Sequence, residues 1–228
     1  MKHSDHSLGL AADKAELADD LECLGPGLEG LCPEVEVSVR RDWVADLTEY
    51  AELLFKWSGR MNLVAAGDRT RLASRHLLPS LALRSAIVSR PHACVLDVGS
   101  GSGLPGIPLK ITLPDARFIL LESRRRRASF LHQVVRHLSL PKTEIVNARL
   151  EDWPGSPNLD IAVTRATMSP SELLPLLSPH LSDHGVLVTT LSRLHDEAEQ
   201  GRLLSDVTVG GSWGERRVAI LAPENSRG

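Results

Sequence analysis

The stretch Val95-Leu96-Asp97-Val98-Gly99-Ser100-Gly101-Ser102-Gly103-Leu104-Pro105-Gly106 decides the fold. A short apolar run ends in an acid, passes through alternating glycines and opens into a helical pattern: the grammar of a strand, a tight loop and a helix. Glycines at such a corner let the backbone turn sharply and let a ligand approach without a Cβ in the way. Outward from this point, similar short apolar runs recur at Cys94 to Asp97, Arg117 to Leu121, Thr143 to Asn147, Leu159 to Val163 and Gly185 to Thr190, separated by helical stretches. That alternation predicts a parallel sheet built by right-handed crossovers. Two more strand-like runs, Asp206 to Val209 and Arg217 to Leu221, follow a helical segment and flank the turn-rich Gly210 to Gly214.

Five parallel strands with a terminal hairpin make the α/β plan of a class I methyltransferase: Rossmann-like, with a mostly parallel seven-stranded sheet and N-terminal helices. Two cofactor classes use a loop of this kind. Gly101, Gly103 and Gly106 satisfy the dinucleotide pattern GxGxxG, whereas Asp97, Gly99, Gly101 and Gly103 satisfy DxGxGxG, typical of S-adenosyl-L-methionine sites. Charge separates the two readings. A pyrophosphate at the helix N-terminus is disfavoured by a carboxylate at the strand end, while an ammonium and a sulfonium are favoured by it. Glu122, ending the second strand, suits the two ribose hydroxyls of either nucleoside. The third strand is expected to deliver Arg149, Leu150, Glu151 and Asp152 beside the adenine, although Glu151 and Asp152 also read as a solvated helix start.

Composition limits the alternatives. The chain has 228 residues, 42% apolar and 24% charged, enough for one sizeable core. No apolar run approaches a membrane span, and residues 1–10 lack the apolar centre of a signal peptide. A soluble, cytoplasmic monomer is expected. Cys23, Cys32 and Cys94 form no CxxC pair, which argues against a disulfide framework or a zinc ribbon. His180 and His184 have ligand-like spacing, but Asp183 and Gly185 mark a turn there, so no metal is expected.

The organisation reads as three parts. Residues 1–36 carry Gly25, Pro26, Gly27, Gly30 and Pro33, and residues 1–40 hold nine acids against three bases; a mobile acidic tail is predicted, with a short helix over Lys14 to Cys23. Residues 37–92 form a helical segment in which Trp43, Leu47, Tyr50, Leu53, Leu54 and Trp57 recur at helical spacing, then Leu72, Leu77, Leu81, Ile87 and Val88. Residues 93–228 are the sheet domain. Outside the first 40 residues, 20 of the 29 acids face 23 of the 26 bases, including the unbroken run Arg124 to Arg127. That run reads either as a phosphate-contacting patch or as the solvated face of a helix.

From Tyr50 to about Thr190 the chain resembles the bacterial small-subunit (16S) ribosomal RNA guanine-N7 methyltransferases, the glucose-inhibited division protein B family. The matching pieces are Leu53 to Trp57, Met61-Asn62-Leu63, His76-Leu77-Leu78 with Ser80-Leu81, the loop from Leu96 to Pro108, Leu120 to Ser123, Arg126-Arg127, Phe130-Leu131 and Arg165-Ala166. The resemblance covers roughly 60% of the chain, with Gly103 to Pro108 its most specific piece. It implies that Gly99, Leu104, Leu150, Glu151 and Arg165 line the cofactor site and that Arg126 and Arg127 face RNA or the cofactor edge. It also implies small-subunit ribosomal RNA, free or in an assembled subunit, as substrate. The chain departs from the family at Ser58, at Pro79 and at Leu191-Ser192, where Arg193 follows in place of a Lys-Gly pair. The same fold acting on another RNA position or a small molecule, or a non-catalytic nucleotide- or RNA-binding module, are the alternatives.

No catalytic base is assigned. The in-plane lone pair of guanine N7 attacks a methyl without first losing a proton, so alignment and desolvation suffice. The fourth strand ends in Val163-Thr164-Arg165-Ala166 rather than an Asn-Pro-Pro motif, and Cys94 lies on a buried strand, which argues against exocyclic-amine and covalent C5 chemistry. Arg165 is expected in the crevice at the carboxyl edge, holding either the methionine carboxylate or RNA, with a bond to a neighbouring helix as the bland alternative.

Overall fold

The computed structural model describes residues 2–90, 93–155, 158–165, 168–191 and 201–223. Its centre is one seven-stranded sheet of order β3-β2-β1-β4-β5-β7-β6. The strands are β1 (Cys94–Val98), β2 (Arg117–Leu121), β3 (Thr143–Val146), β4 (Leu159–Thr164), β5 (Leu181–Leu191), β6 (Gly201–Gly211) and β7 (Gly214–Pro223). The first five are parallel, and β7 runs antiparallel to both β5 and β6. Every predicted strand is present. β1, β2 and β4 are near-continuous apolar runs because both faces are covered. Val95, Phe118, Leu120, Ile161 and Val163 face one layer, and Leu96, Ile119, Leu121 and Ala162 face the other.

The first layer is the thicker. It holds α3 (Val37–Met61), α5 (Gly106–Thr112) and α6 (Arg125–His137), with α7 (Pro170–Leu177) on the opposite face. α3 buries the stripe Trp43, Leu47, Tyr50, Ala51, Leu54, Phe55 and Ser58, and stops at Asn62, whose left-handed backbone (φ 48°) returns its N–H to the Ser58 carbonyl. α7 starts with a capping box between Ser169 and Glu172. Where one helix was predicted over Leu72 to Val88, the chain forms a π turn at Ala73–Leu77, a single α turn α4 (Leu78–Leu81) and a 3₁₀ turn at Ala82–Ala86. Among the described residues no helix is long and apolar enough to cross a membrane.

The first 36 residues correct the expectation of a mobile tail. They form α1 (Lys2–Leu21) and α2 (Leu24–Leu31). Leu17, Leu24, Leu28 and Cys32 are buried in the main core, each leucine worth about 1.5–3 kcal/mol. Of the glycines that read as turn residues, Gly27 acts in packing: a Cβ there would lie 2.5 Å from a Leu78 methyl, so this glycine lets α2 settle onto α4. The acids act as well. Asp20 accepts the Ala73 N–H at 2.7 Å and the Ser74 hydroxyl, capping the π turn from outside. Glu34 pairs with Arg84 at 3.0 Å. The helical segment expected before β6, together with Ser192 and Arg193, lies outside the described residues.

Candidate active site

The glycine loop leaves β1 at its carboxyl end and is held from three sides. The Ser100 N–H donates to the Leu121 carbonyl (2.9 Å), continuing the β1–β2 ladder one step past the strand. The Gly101 N–H donates to Glu122 Oε2 (2.8 Å). The Tyr50 hydroxyl donates to the Ser102 carbonyl (2.7 Å) from below. Gly101 sits at φ 59° and Gly103 at φ 98°, a region that L side chains enter at a cost of about 1–2 kcal/mol. Close approach adds to this at Gly103, where a Cβ would lie 2.6 Å from Ile107 Cγ1 and 2.9 Å from the Tyr50 oxygen. Gly101 has ordinary room around it, so backbone geometry is what requires glycine there.

Over the carboxyl ends of β1, β2 and β3 opens a cavity of about 570 Å³, within the range of small-molecule sites. Of the predicted residues, Gly99, Glu122, Arg124, Arg127, Arg149, Leu150 and Glu151 stand on its wall, joined by Ser123, Ala148 and Met168. Glu122 is buried and faces the loop; Oε2 takes the Gly101 N–H and Oε1 takes the Arg124 N–H at 2.7 Å. Each carboxylate oxygen has a second lone pair for a ligand hydroxyl. The corner after β2 is fixed by Asn147, whose amide donates to the Glu122 and Ser123 carbonyls at 2.7 and 3.0 Å. Arg126 is exposed on α6, off this wall.

Asp97, Leu104 and Arg165 are not on that wall. Asp97 is fully enclosed; Oδ2 accepts the Gly106 N–H at 3.0 Å where α5 begins, and Oδ1 has no hydrogen-bond partner among the described residues. Burial pushes its carboxyl up to about 7, against the pull of the Gly106 N–H. Leu104 packs in the core. Arg165, one residue past β4, donates to the His76 carbonyl (3.2 Å) and to His76 Nδ1 (2.8 Å). This is a bond to a neighbouring helical turn; burial lowers the guanidinium from its ordinary range, against the opposing pull of nearby Tyr50 and Asp97. A guanidinium can only donate, so His76 Nδ1 must be unprotonated and its proton sits on Nε2. Nε2 lies 3.3 Å from Asp68 Oδ2, and Asp68 Oδ1 binds Arg75 at 2.7 Å. Burial, then Arg165, pulls the imidazole down to about 4. Ala166 lies outside the described residues.

Tyr50, Asn147 and Asp68 were missed as site residues. Tyr50 was legible only as an apolar position of a helix stripe, and its partner is 52 residues away. His180, whose spacing suggested a metal ligand, stacks at 5.1 Å on Trp153, and no group of three potential metal ligands exists among the described residues.

Comparison with known proteins places this arrangement. The TrmN structure from Thermus thermophilus superimposes with a TM-score of 0.54 over 66% of this chain and 49% of that one, at 17% identity, a likeness of fold. The ribosomal RNA small subunit methyltransferase G of Colwellia psychrerythraea is 30% identical over 206 residues, covering 87% of this chain and 97% of its own length. That of Methylococcus capsulatus is 36% identical over 184 residues, 78% of this chain and 88% of the relative. The family model GidB, rRNA small subunit methyltransferase G, matches residues 44–208, the stretch that contains the loop, Glu122, Glu151 and Arg165, and the chain therefore belongs to that family.

Proposed function

We propose that this protein transfers a methyl group from S-adenosylmethionine to N7 of a guanine in small-subunit ribosomal RNA. The observation that carries the reading is the cavity at the β1–β2–β3 edge, with its glycine loop and the Glu122 carboxylate, in a chain of this family.

The residues present fit that cofactor. Among the described residues Asp97 Oδ1 is a buried carboxylate oxygen without a hydrogen-bond partner, the kind of group an ammonium relieves and a pyrophosphate aggravates. Glu122 would hold the ribose hydroxyls, and Leu150 and Glu151 would flank the adenine. Arg165 would reach the methionine carboxylate from its seat on His76. S-adenosylmethionine supplies an electrophilic methyl on a sulfonium. Leu150 and Met168 would offer it apolar contact, and the loop would orient it towards the target base. With the cofactor held there, its methyl would pass to N7, whose ring-plane lone pair needs no prior deprotonation, so the residues of the site would have only to align the two. No side chain has to remove a proton.

The arginine run supports an RNA substrate. Arg124 precedes α6 and Arg125 to Arg127 fill its first turn, where the helix dipole disfavours cations; a phosphate beside them relieves that repulsion. Arg126 is free to contact RNA from the surface, and Arg127 stands where RNA and cofactor meet. Mass mapping of guanines in small-subunit ribosomal RNA, from cells with and without the gene, tests the proposal: one N7-methylguanine should vanish with the gene and return on adding protein and S-adenosylmethionine. An unchanged map refutes it.

A further inference from the structure

A second cavity, also about 570 Å³, lies between the segment after α3 and the β6–β7 turn. Arg71, Arg75 and Arg216 stand on its wall with Trp213, Ser74 and Asp68. Its place in the fold is informative. β5 and β7 pair Leu191 with Arg217, so the turn before β7 projects past the carboxyl end of β5. On the other side, Asp68 and Arg75 connect through His76 to Arg165, just past the end of β4. The sheet order reverses between β1 and β4, the crevice where ligands of such sheets collect. The cofactor cavity lies over β1–β2–β3, and the wall of this one comes from the segment after α3 and the β6–β7 turn, on the β5–β7 side of the sheet.

We propose that this second cavity seats the backbone of the RNA strand next to the target guanine, with Trp213 as a stacking surface for an adjacent unpaired base. The proposal rests on the reading of the protein as a ribosomal RNA methyltransferase and specifies where its substrate lies. Three guanidiniums face one carboxylate, and that carboxylate is already paired with Arg75 at 2.7 Å and stands 3.3 Å from the uncharged His76 ring. Arg75 is thereby held in place, leaving Arg71 and Arg216 to meet phosphates, which guanidiniums bind through paired hydrogen bonds. The ion pair of Arg71 with Glu16, at 3.7 Å between half-exposed side chains, is a surface pair that an incoming phosphate displaces at little cost. Trp213 is half-buried, packed against the core and so held rigid, while its remaining face borders the cavity. An indole fixed beside arginines is the combination that holds single-stranded nucleic acid with little regard for sequence.

The test uses the full chain with unmodified 16S ribosomal RNA and with small subunits assembled on it, taking whichever the wild type methylates. Arg71→Glu, Arg216→Glu and Trp213→Ala are compared for RNA affinity across a salt series, cofactor affinity by calorimetry, and Tm. Each arginine reversal should weaken RNA binding about tenfold or more and lower the log–log salt slope by about 0.7–0.9 for every phosphate that the variant leaves unneutralised. Trp213→Ala should weaken binding by about 5- to 150-fold with the slope unchanged. Cofactor affinity should stay at the wild-type value in all three variants and Tm in the two arginine variants, whereas Trp213→Ala, which also removes packing against the core, should lower Tm without touching cofactor affinity; Arg117→Glu, at the amino edge of β2, should leave RNA binding intact. The milder Arg71→Gln and Arg216→Gln carry the same prediction at smaller size. Unchanged RNA affinity and slope, or losses that follow Tm and cofactor affinity, would overturn the proposal. A wild type that methylates neither substrate defeats the functional reading itself, and this inference with it.

Discussion

Replacing Asp97 by Asn should make the ligand-free protein more stable at alkaline pH and a poorer binder of S-adenosylmethionine. Folding encloses this carboxyl and raises its pKa from 3.8 to about 7. A raised pKa means stability that is complete below pH 3.8 and is lost as pH climbs through 7. About three units correspond to roughly 4 kcal/mol, of which roughly 2.5 kcal/mol is lost between pH 5 and 8. An Asn keeps the acceptor for the Gly106 N–H and has no charge to bury. Its amide nitrogen takes the unpartnered position, a fixed cost of about 1–3 kcal/mol that does not vary with pH. The Tm of the variant relative to wild type should therefore rise by about 5–10 °C between pH 5 and pH 8. Adding the cofactor should shrink that difference, since an ammonium beside Oδ1 removes the penalty only in wild type. Thermal melts at four or five pH values, with and without cofactor, give the comparison. Parallel Tm curves for the two proteins over this range would refute the reasoning.

Four further outcomes can be checked on the same protein. Tyr50→Phe leaves the Ser102 carbonyl without its donor, so calorimetry should show weaker cofactor binding and melts a loss of about 1–3 kcal/mol. Gly27→Val overlaps Leu78 and should cost about 1–3 kcal/mol, read as a Tm drop of about 2–12 °C; a wild-type Tm would mean that α2 does not pack against Leu78. His76, held near 4 against an ordinary 6.5, gives stability that is present above pH 6.5 and lost as pH falls towards 4, so wild type should lose about 3 kcal/mol there relative to His76→Gln. Arg165→Ala should cut methyl incorporation about 10- to 100-fold and lower Tm far less. Wild-type turnover would remove Arg165 from the site, and lost RNA binding with intact cofactor affinity would move it to the substrate side.

What the chain discloses about itself divides by the range of the interaction. The strands were legible because burial on both faces demands runs such as Phe118 to Leu121, and the loop because its backbone needs glycine at set intervals. Glu122, Leu150 and Glu151 followed, since parallel strands present their carboxyl ends at a common edge. Contacts between distant segments were hidden. Nothing in the composition of residues 1–36 shows that Gly27 faces Leu78 or that Asp20 caps a turn more than 50 residues on. The enclosure of Asp97 was hidden for the same reason: the motif identifies a carboxylate at a strand end, while α5, which seals it in, is recognisable only as the helix that follows. Arg165 was correctly located at the end of β4, but its partner, His76, belongs to a turn that periodicity had read as plain helix.

The tyrosine beneath the glycine loop also bears on modularity. The chain looks divisible near residue 92, with helices before and a complete nucleotide-binding sheet after. Yet the floor under Gly103 is the hydroxyl of Tyr50, and a fragment beginning at residue 93 would have a hole there, lined by Ile107 and Leu131. A loop that depends on a floor supplied by another segment cannot be transplanted with its own strand and helix. Grafting this cofactor site onto a different sheet would therefore require carrying over a segment of α3 as well, and a natural truncation that removed α3 would be silent in catalysis even with every residue of the glycine motif intact.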